Sequence, residues 1–207
     1  MATISTCRIT AVAVSLLGAG VVGAAQSPER TSDTLVVRVY DGTAGHARTR
    51  TTAILTAASI ASEAGLDIHW TDCTRTTQVG ACTELRGPDD LIVRIVPVAV
   101  SGSPGLQIRA QSRAPLGFSV VDPVVGAGAI AMVFLDRVLP LARRTGVDPG
   151  RLLGRAIAHE IGHLLLRTTK HSPTGIMREI WTDTELMRDT PVDWLFAEDD
   201  RLRQRLR

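Results

Sequence analysis

Three residues within one short segment of this 207-residue chain could bind and use a metal ion: His159, Glu160 and His163. Residues four apart lie one turn along the same face of an α-helix, so the two histidines can offer their imidazoles to one ion. This is the HExxH arrangement of zinc sites, in which the glutamate accepts a proton from water activated by the metal. The segment therefore predicts a Zn²⁺ site with Glu160 as the catalytic general base.

The residues before and within this motif predict the helix that must carry it. Asp148 and Pro149 are typical of an N-cap and of the first helical position. Apolar residues then cover most of the helix circumference, which predicts a buried helix. These residues are Leu152, Leu153, Ala156, Ile157, Ile161, Leu164 and Leu165. Burial of polar groups without partners costs free energy. We therefore expect the polar residues of the motif to have binding partners.

A catalytic zinc takes three protein ligands, and two residues could complete the set. His171 lies eight residues past His163, close enough for a chain that leaves the helix near Arg167 and folds back. Glu185 lies 22 residues past His163 and could reach the ion from a second helix. We favour His171, because the short segment before it fits a turn, and keep Glu185 as the alternative.

The segment from His159 to Met177, HEIGHLLLRTTKHSPTGIM, resembles the metzincin zinc-peptidase motif, HExxHxxGxxH followed by a methionine turn. The residues His171-Ser172 and Gly175-Ile176-Met177 are especially similar to the matrixin branch. The resemblance implies that His171 is the third ligand and that Met177 lies in the turn beneath the metal. It also implies a twisted mixed sheet with a backing helix, an active-site helix and a small C-terminal helical subdomain.

The sequence departs from the metzincin pattern in the turn after the helix. Leu166 occupies the position of the family's glycine, and Thr169 occupies the position of its third histidine. Aligning His171 with that histidine requires two extra residues in the turn. A residue other than glycine must then adopt any left-handed conformation there, at a cost of about 1 kcal/mol.

The rest of the chain predicts an α/β (α+β) fold in which the first strand, helix and strand form a parallel crossover unit. Six segments have the pattern of β-strands: Thr34–Tyr40, Leu66–Trp70, Leu91–Val100, Leu106–Arg113, Leu116–Val121 and Ala129–Leu135. Three segments besides the motif helix are predicted to be helical: Thr49–Ala64 with Gly65 at its end, Asp136–Thr145, and Thr182–Arg207 broken at Pro191.

The N-terminal segment has the features of a secretory signal peptide. Arg8 precedes an apolar run, and small residues up to Ala25 form a cleavage site. We therefore predict a signal peptide at residues 1–25 and a single domain at residues 26–207. The protein is then expected to be secreted or otherwise extracytoplasmic.

The two cysteines that remain after such cleavage, Cys73 and Cys82, are predicted to form a disulfide. A loop of this length would stabilise the fold by about 2–3 kcal/mol. The alternative is a pair of thiolate metal ligands, but no CxxC partner lies nearby.

The charge balance argues against partners that bind to a large basic surface. The chain has 23 Lys and Arg residues against 21 Asp and Glu residues, a net charge of +2. This leaves no electrostatic case for binding nucleic acid or a membrane surface. The length suits one domain with a single core, and we expect a monomer.

Together these features predict a secreted zinc metalloendopeptidase that hydrolyses peptides or proteins. Extended substrate is expected to pair with an edge strand near the cleft, within Leu106–Val121 or Ala129–Leu135. The alternative is a zinc-stabilised binding or structural module on the same fold without catalytic turnover, which the altered turn favours.

Overall fold

A computed structural model describes residues 35–74, 79–83, 90–97, 115–122 and 127–197 of the chain. Its five strands are β1 (Leu35–Asp41), β2 (Ile68–Asp72), β3 (Asp90–Val96), β4 (Gly117–Asp122) and β5 (Ala127–Phe134). They form one sheet in the order β2-β1-β3-β5-β4. All neighbours pair in parallel except β4, which is antiparallel to β5. The predicted α/β class with a mixed sheet is therefore confirmed.

The most apolar predicted strand is the central strand of this sheet. Within the segment Leu91–Val100, β3 lies between β1 and β5. Its buried residues are Leu91, Val93 and Ile95, as expected because alternate side chains of a strand share one face. Residues 98–100 of this prediction, and the whole predicted strand Leu106–Arg113, lie outside the described residues.

The strand β4 lies at an edge of the sheet, and the prediction that Ala129–Leu135 could be an edge strand is wrong. Most of Ala129–Leu135 belongs to β5, which already pairs with β3 on one side and β4 on the other. The segment Leu116–Val121 corresponds to β4, which has an unpaired edge among the described strands.

The motif helix and the predicted helices Thr49–Ala64 and Asp136–Thr145 are present with small shifts at their ends. The predicted helical segment Thr182–Arg207 is wrong in part, because within the described residues it contains only one short α-helix and one turn of 3-10 helix. The helices are α1 (Ala47–Glu63), α2 (Val79–Thr83), α3 (Leu135–Thr145), α4 (Pro149–Leu166) and α5 (Asp183–Arg188), with a 3-10 helix at Pro191–Trp194. The short helix α2 has no counterpart among the predicted helices, and residues 198–207 lie outside the described ranges. Among the described helices, none has both the length and the apolar character needed to span a membrane.

Local sequence signals set the ends of the two long helices. The Oδ1 atom of Asp148 accepts a hydrogen bond of 3.0 Å from the backbone N–H of Arg151 at the start of α4. Gly65 follows α1 in the left-handed conformation, with φ of 72°. The backbone N–H of Leu66 then donates to the carbonyl of Ala61 at 3.0 Å, which completes a glycine-dependent helix end.

Two glycines allow α4 to pack closely on α1. A Cβ atom added at Gly150 would lie 2.5 Å from Cβ of Thr52, and one added at Gly154 would lie 2.5 Å from the backbone oxygen of Ala53. The helix α4 also packs against β3, β4 and β5. It packs on both α1 and the sheet, and every residue from Leu152 to Leu165 is buried. The prediction of a buried motif helix is confirmed.

The predicted disulfide between Cys73 and Cys82 is present. It joins the end of β2 to α2, and the hydroxyl of Tyr40 donates to the carbonyl of Cys82 at 3.1 Å. These two connections attach α2 to the carboxyl ends of β1 and β2. The predicted signal peptide at residues 1–25 lies outside the described residues.

The substitution Gly154→Ala tests the close contact of α1 with α4. Alanine favours a helix over glycine by about 1 kcal/mol, so it would stabilise a helix with free space at this position. Here the new Cβ would lie 2.5 Å from the carbonyl oxygen of Ala53, and we expect the free energy of unfolding to fall by about 1–3 kcal/mol. Urea denaturation measures the change, and a gain in stability would contradict the described packing.

Candidate metal centre

The structure brings together the three histidines that the sequence singles out. His159 and His163 lie one turn apart on α4, and their Nε2 atoms are 3.1 Å apart. The ring of His171 lies beside both, with centroid distances of 5.3 Å to His159 and 4.9 Å to His163. One ligand atom from each histidine lies within 4.8 Å of the others, so the three could hold a metal ion. Among the described residues, no other group of His, Cys, Asp or Glu side chains is arranged in this way.

The second nitrogen of each buried imidazole is bound to a backbone carbonyl. Nδ1 of His159 lies 2.8 Å from the oxygen of Ile176, and Nδ1 of His163 lies 2.9 Å from the oxygen of Thr168. A carbonyl oxygen can only accept, so in the neutral rings both Nδ1 atoms carry the proton. Both Nε2 atoms then present lone pairs, as the histidines of metal sites do.

Burial keeps these two imidazoles neutral. It lowers the pKa of His159 to about 4; the nearby rings of His163 and His171 act in the same direction, and the bond to Ile176 opposes them. Burial also lowers the pKa of His163, again with a contribution from His171. At neutral pH two lone pairs therefore face each other at 3.1 Å with no proton between them. A cation would relieve this repulsion.

The turn after α4 brings the chain back toward the helix. Arg167 adopts the left-handed conformation, with φ of 52°, and the N–H of Thr168 donates to the carbonyl of His163 at 3.2 Å. This confirms that a residue other than glycine takes the left-handed position. The carbonyl of Thr168 is also the acceptor for Nδ1 of His163, so the altered turn orients one of the histidines as well as leading to His171.

Met177 lies in a turn that packs against α4, where the resemblance leads us to expect it. A Cβ atom added at Gly162 would lie 2.4 Å from the sulfur of Met177, so the helix approaches the turn because residue 162 has no side chain. Gly175 has φ of 71°, and the N–H of Ser172 donates to the carbonyl of Met177 at 2.9 Å. The turn thereby holds the carbonyl of Ile176 against His159.

Glu160 is buried, and no cation pairs with it among the described residues. Its Oε2 atom lies 2.7 Å from Oγ of Ser119 on β4. Burial raises the pKa of Glu160 to about 7, and the bond with Ser119 opposes this rise. A carboxyl group that titrates near neutral pH can both accept and donate a proton under physiological conditions.

Glu185, the alternative third ligand, is engaged in other contacts. Its Oε1 atom accepts a hydrogen bond of 2.9 Å from Arg178. Its Oε2 atom accepts from the backbone N–H and from the hydroxyl of Thr182, both at 2.8 Å. These bonds belong to the capping box that begins α5. Both carboxylate oxygens of Glu185 are therefore in use, whereas the exposed ring of His171 already lies beside the buried histidines.

Two side chains at the centre were missed by the sequence analysis. Ser119 lies on an edge strand 41 residues before Glu160, and a single serine in a short strand gives no signal of such a contact. Trp181 lies edge-on to His159 with a centroid distance of 5.7 Å, and it contacts Trp194 in the same way at 5.4 Å. Its position four residues after the methionine was the only available signal.

The substitution Glu160→Gln should stabilise the metal-free protein at high pH and leave it nearly unchanged at low pH. The folded protein holds the proton up to a pKa of about 7, against 4.5 for an unperturbed group. The unfolded chain therefore releases the proton first, and stability falls as the pH rises through this window. Glutamine avoids the loss, so the variant should gain on the order of 3 kcal/mol over the wild type at about pH 8.

Denaturant unfolding in the presence of a chelator, at about pH 5 and about pH 8, measures this difference. The exposed Glu63 of α1 provides the matched control, since Glu63→Gln removes a carboxylate that is not buried. An equal gain for Glu160→Gln at both pH values would contradict the raised pKa.

Comparisons with known proteins give a similar structure but no family. No protein-family profile matches the chain, and no curated protein sequence matches it. Among solved structures, the chain is similar to archaemetzincin (amzA) from Methanopyrus kandleri, with a TM-score of 0.49. The two chains are 15% identical, and the match covers 87% of this chain and 99% of that chain. At this level of likeness, the function has to be argued from the geometry of the chain itself.

Proposed function

We propose that this protein is a secreted zinc-dependent metalloendopeptidase of the metzincin type, in which His159, His163 and His171 hold one Zn²⁺ ion and Glu160 is the general base. One observation carries the proposal: the Nε2 atoms of two neutral imidazoles face each other at 3.1 Å. The carbonyls that bind the Nδ1 atoms leave neither Nε2 atom with a proton to donate. A metal cation is a partner that both lone pairs can share.

The donor set fits zinc. Three imidazoles are one of the ligand sets of catalytic zinc sites, and they leave one position open. Zn–N bonds of about 2.0–2.1 Å at tetrahedral angles place two ligand nitrogens about 3.3 Å apart, close to the 3.1 Å between His159 and His163. The ring of His171 is exposed, so rotation about its side-chain bonds can close the wider gap to the other two.

Glu160 is placed to move the proton in peptide hydrolysis. When bound, zinc would act as a Lewis acid that acidifies water and polarises the carbonyl group of a peptide. Glu160 follows His159 and therefore projects about 100° further round the helix. Its carboxylate can take a proton from the attacking water and later give it to the leaving amine. The pKa of Glu160 is about 7 without metal, and the positive charge of a bound cation would lower it, which favours the carboxylate form that accepts a proton.

The environment of Glu160 favours catalysis over a purely structural zinc module. A structural site needs only its ligands, whereas a buried carboxylate costs folding free energy wherever it is ionised. An apolar residue at position 160 would avoid that cost and would fill the space between α4 and β4. Carboxyl groups with such perturbed pKa values are concentrated at functional sites.

The strand β4 is the proposed partner of an extended peptide or protein substrate. It has an unpaired edge among the described strands, and its Ser119 contacts Glu160. A peptide that adds to this edge as a further strand would therefore run close to the proton-transfer group.

Export of the protein is supported by two independent features. The disulfide between Cys73 and Cys82 suits an oxidising compartment. The apolar N-terminal sequence ending in small residues near Ala25 has the pattern of a signal peptide.

The nearly balanced charge of the chain supports a protein substrate rather than nucleic acid, and the proposed form is a monomer.

The substitution Glu160→Gln should separate zinc binding from catalysis. Glutamine keeps the shape of the side chain and can still bond with Ser119, but it cannot take a proton from water. We expect kcat to fall by about 10²–10⁴-fold, with zinc still bound in stoichiometric amount. Elemental analysis gives the zinc content, and cleavage of a broad peptide library gives the activity.

Retention of chelator-sensitive activity by this variant would show that Glu160 is not the base. If the unmutated protein binds zinc but cleaves no peptide of the library, the structural zinc module becomes the better account.

The substitutions His171→Ala and Glu185→Ala distinguish the two candidates for the third ligand. Loss of a ligand should weaken zinc binding more than the roughly 10–100-fold that is typical for loss of an outer-shell partner, and we expect this for His171→Ala. Glu185→Ala should bind zinc normally and lose about 1 kcal/mol of stability with its helix cap. Zinc titration against a competing chelator measures both affinities. An undiminished affinity of His171→Ala for zinc would contradict the assignment of His171 as the third ligand.

A further inference from the structure

We infer that Ser119 is a positioning residue for the proton-transfer group: its hydroxyl, together with the bare backbone of Gly117, fixes the direction in which the Glu160 carboxylate points. The inference rests on the proposed function, because it concerns the general base of that reaction. It assigns to β4 a task that neither the HExxH motif nor the histidine cluster requires.

The Ser119 hydroxyl contacts Glu160 at two points. Its Oγ atom lies 2.7 Å from Oε2 of the glutamate and 2.7 Å from the backbone oxygen of the same residue. The single hydroxyl proton can be donated to either oxygen. When the proton is donated to Oε2, the hydrogen bond holds the end of the Glu160 side chain and so opposes rotation about its side-chain bonds.

Gly117 leaves room for the other oxygen of the carboxylate. It is two residues from Ser119 on β4 and therefore belongs to the same face of the strand. A Cβ atom added at residue 117 would lie 2.5 Å from the backbone oxygen of Met132 on β5, and also 2.9 Å from Oε1 and 3.0 Å from Cγ of Glu160. The carboxylate thus lies against the backbone of β4, with one oxygen beside each of the two residues.

The direction of the carboxylate matters because proton transfer depends on short distances. A base must come within about 2.6–3.2 Å of the proton's heavy atom, and a glutamate with three free rotations seldom does so. The histidines are oriented independently, by their bonds to two backbone carbonyls. Loss of the Ser119 hydroxyl should therefore slow proton transfer and leave the metal ligands in place.

The sharpest test compares Ser119→Thr with Ser119→Val. The two side chains have the same shape, both suit a β-strand, and they differ only in the hydroxyl group. In the zinc-loaded protein, Ser119→Thr should keep kcat within about threefold of the wild type, and Ser119→Val should lose about 10–100-fold. KM and zinc content should be unchanged in both. The exposed Ser62 of α1 provides a control for the loss of a serine hydroxyl, as Ser62→Ala.

A second readout does not depend on activity. Crystal structures of the zinc-loaded variants should show Glu160 in its original orientation in Ser119→Thr and in other rotamers in Ser119→Val. If the unmutated protein cleaves no peptide, the proposed function fails, but these structures still decide whether Ser119 orients Glu160.

Equal kcat values for the threonine and valine variants would overturn the inference, and so would an unmoved Glu160 in Ser119→Val. Parallel loss of zinc and kcat would also overturn it, because Ser119 would then maintain the whole centre and not one side chain. Ser119→Ala keeps the inference testable if Ser119→Val does not fold, because alanine removes the hydroxyl without adding bulk. It leaves the carboxylate without its hydrogen bond, so the same loss of kcat at normal zinc content is expected.

Discussion

Two backbone carbonyls determine the geometry of the centre. The oxygens of Thr168 and Ile176 bind the Nδ1 atoms of His163 and His159, and this forces both Nε2 lone pairs into one small space. Helical spacing alone places the two rings on one face of α4 but leaves their rotation open. Since neither carbonyl belongs to a helix or a strand, two irregular segments must be held as firmly as the helix for the imidazoles to converge.

Steric fit and local hydrogen bonds hold these two segments. The turn that carries Thr168 is closed through the left-handed Arg167. The segment that carries Ile176 is fixed from the other side, because the N–H of Ile176 donates to the carbonyl of Leu195 at 2.7 Å. A Cβ atom added at Gly175 would lie 2.5 Å from that same carbonyl. The segment that carries Leu195 is attached to α4 through Trp194. The guanidinium of Arg155 on α4 lies 4.1 Å from the ring centre of Trp194.

Features that depend on residues close together in the chain could be predicted from the sequence. Features that depend on which strands pair in the sheet could not. Local features were predicted: the N-cap and apolar period of α4, the spacing of its histidines, and a left-handed residue other than glycine in the turn. The choice of β4 over β5 as the edge strand was not, because both are short apolar segments and their order in the sheet is decided by long-range contacts. For the same reason Ser119 could not be linked to Glu160 before the strand was placed against the helix.

The residues that the proposed reaction needs also destabilise the folded protein when no metal is bound. Without a cation, the facing lone pairs of His159 and His163 repel, and the buried carboxyl of Glu160 resists ionisation. A bound metal would relieve the repulsion, and its positive charge would also favour the ionised carboxylate of Glu160, so metal binding and folding should be thermodynamically linked. Packing of α1 on α4 and the disulfide stabilise the fold independently of both. A scaffold that is stable elsewhere can therefore hold a polar group in an unfavourable position, and such a group is ready to exchange a proton.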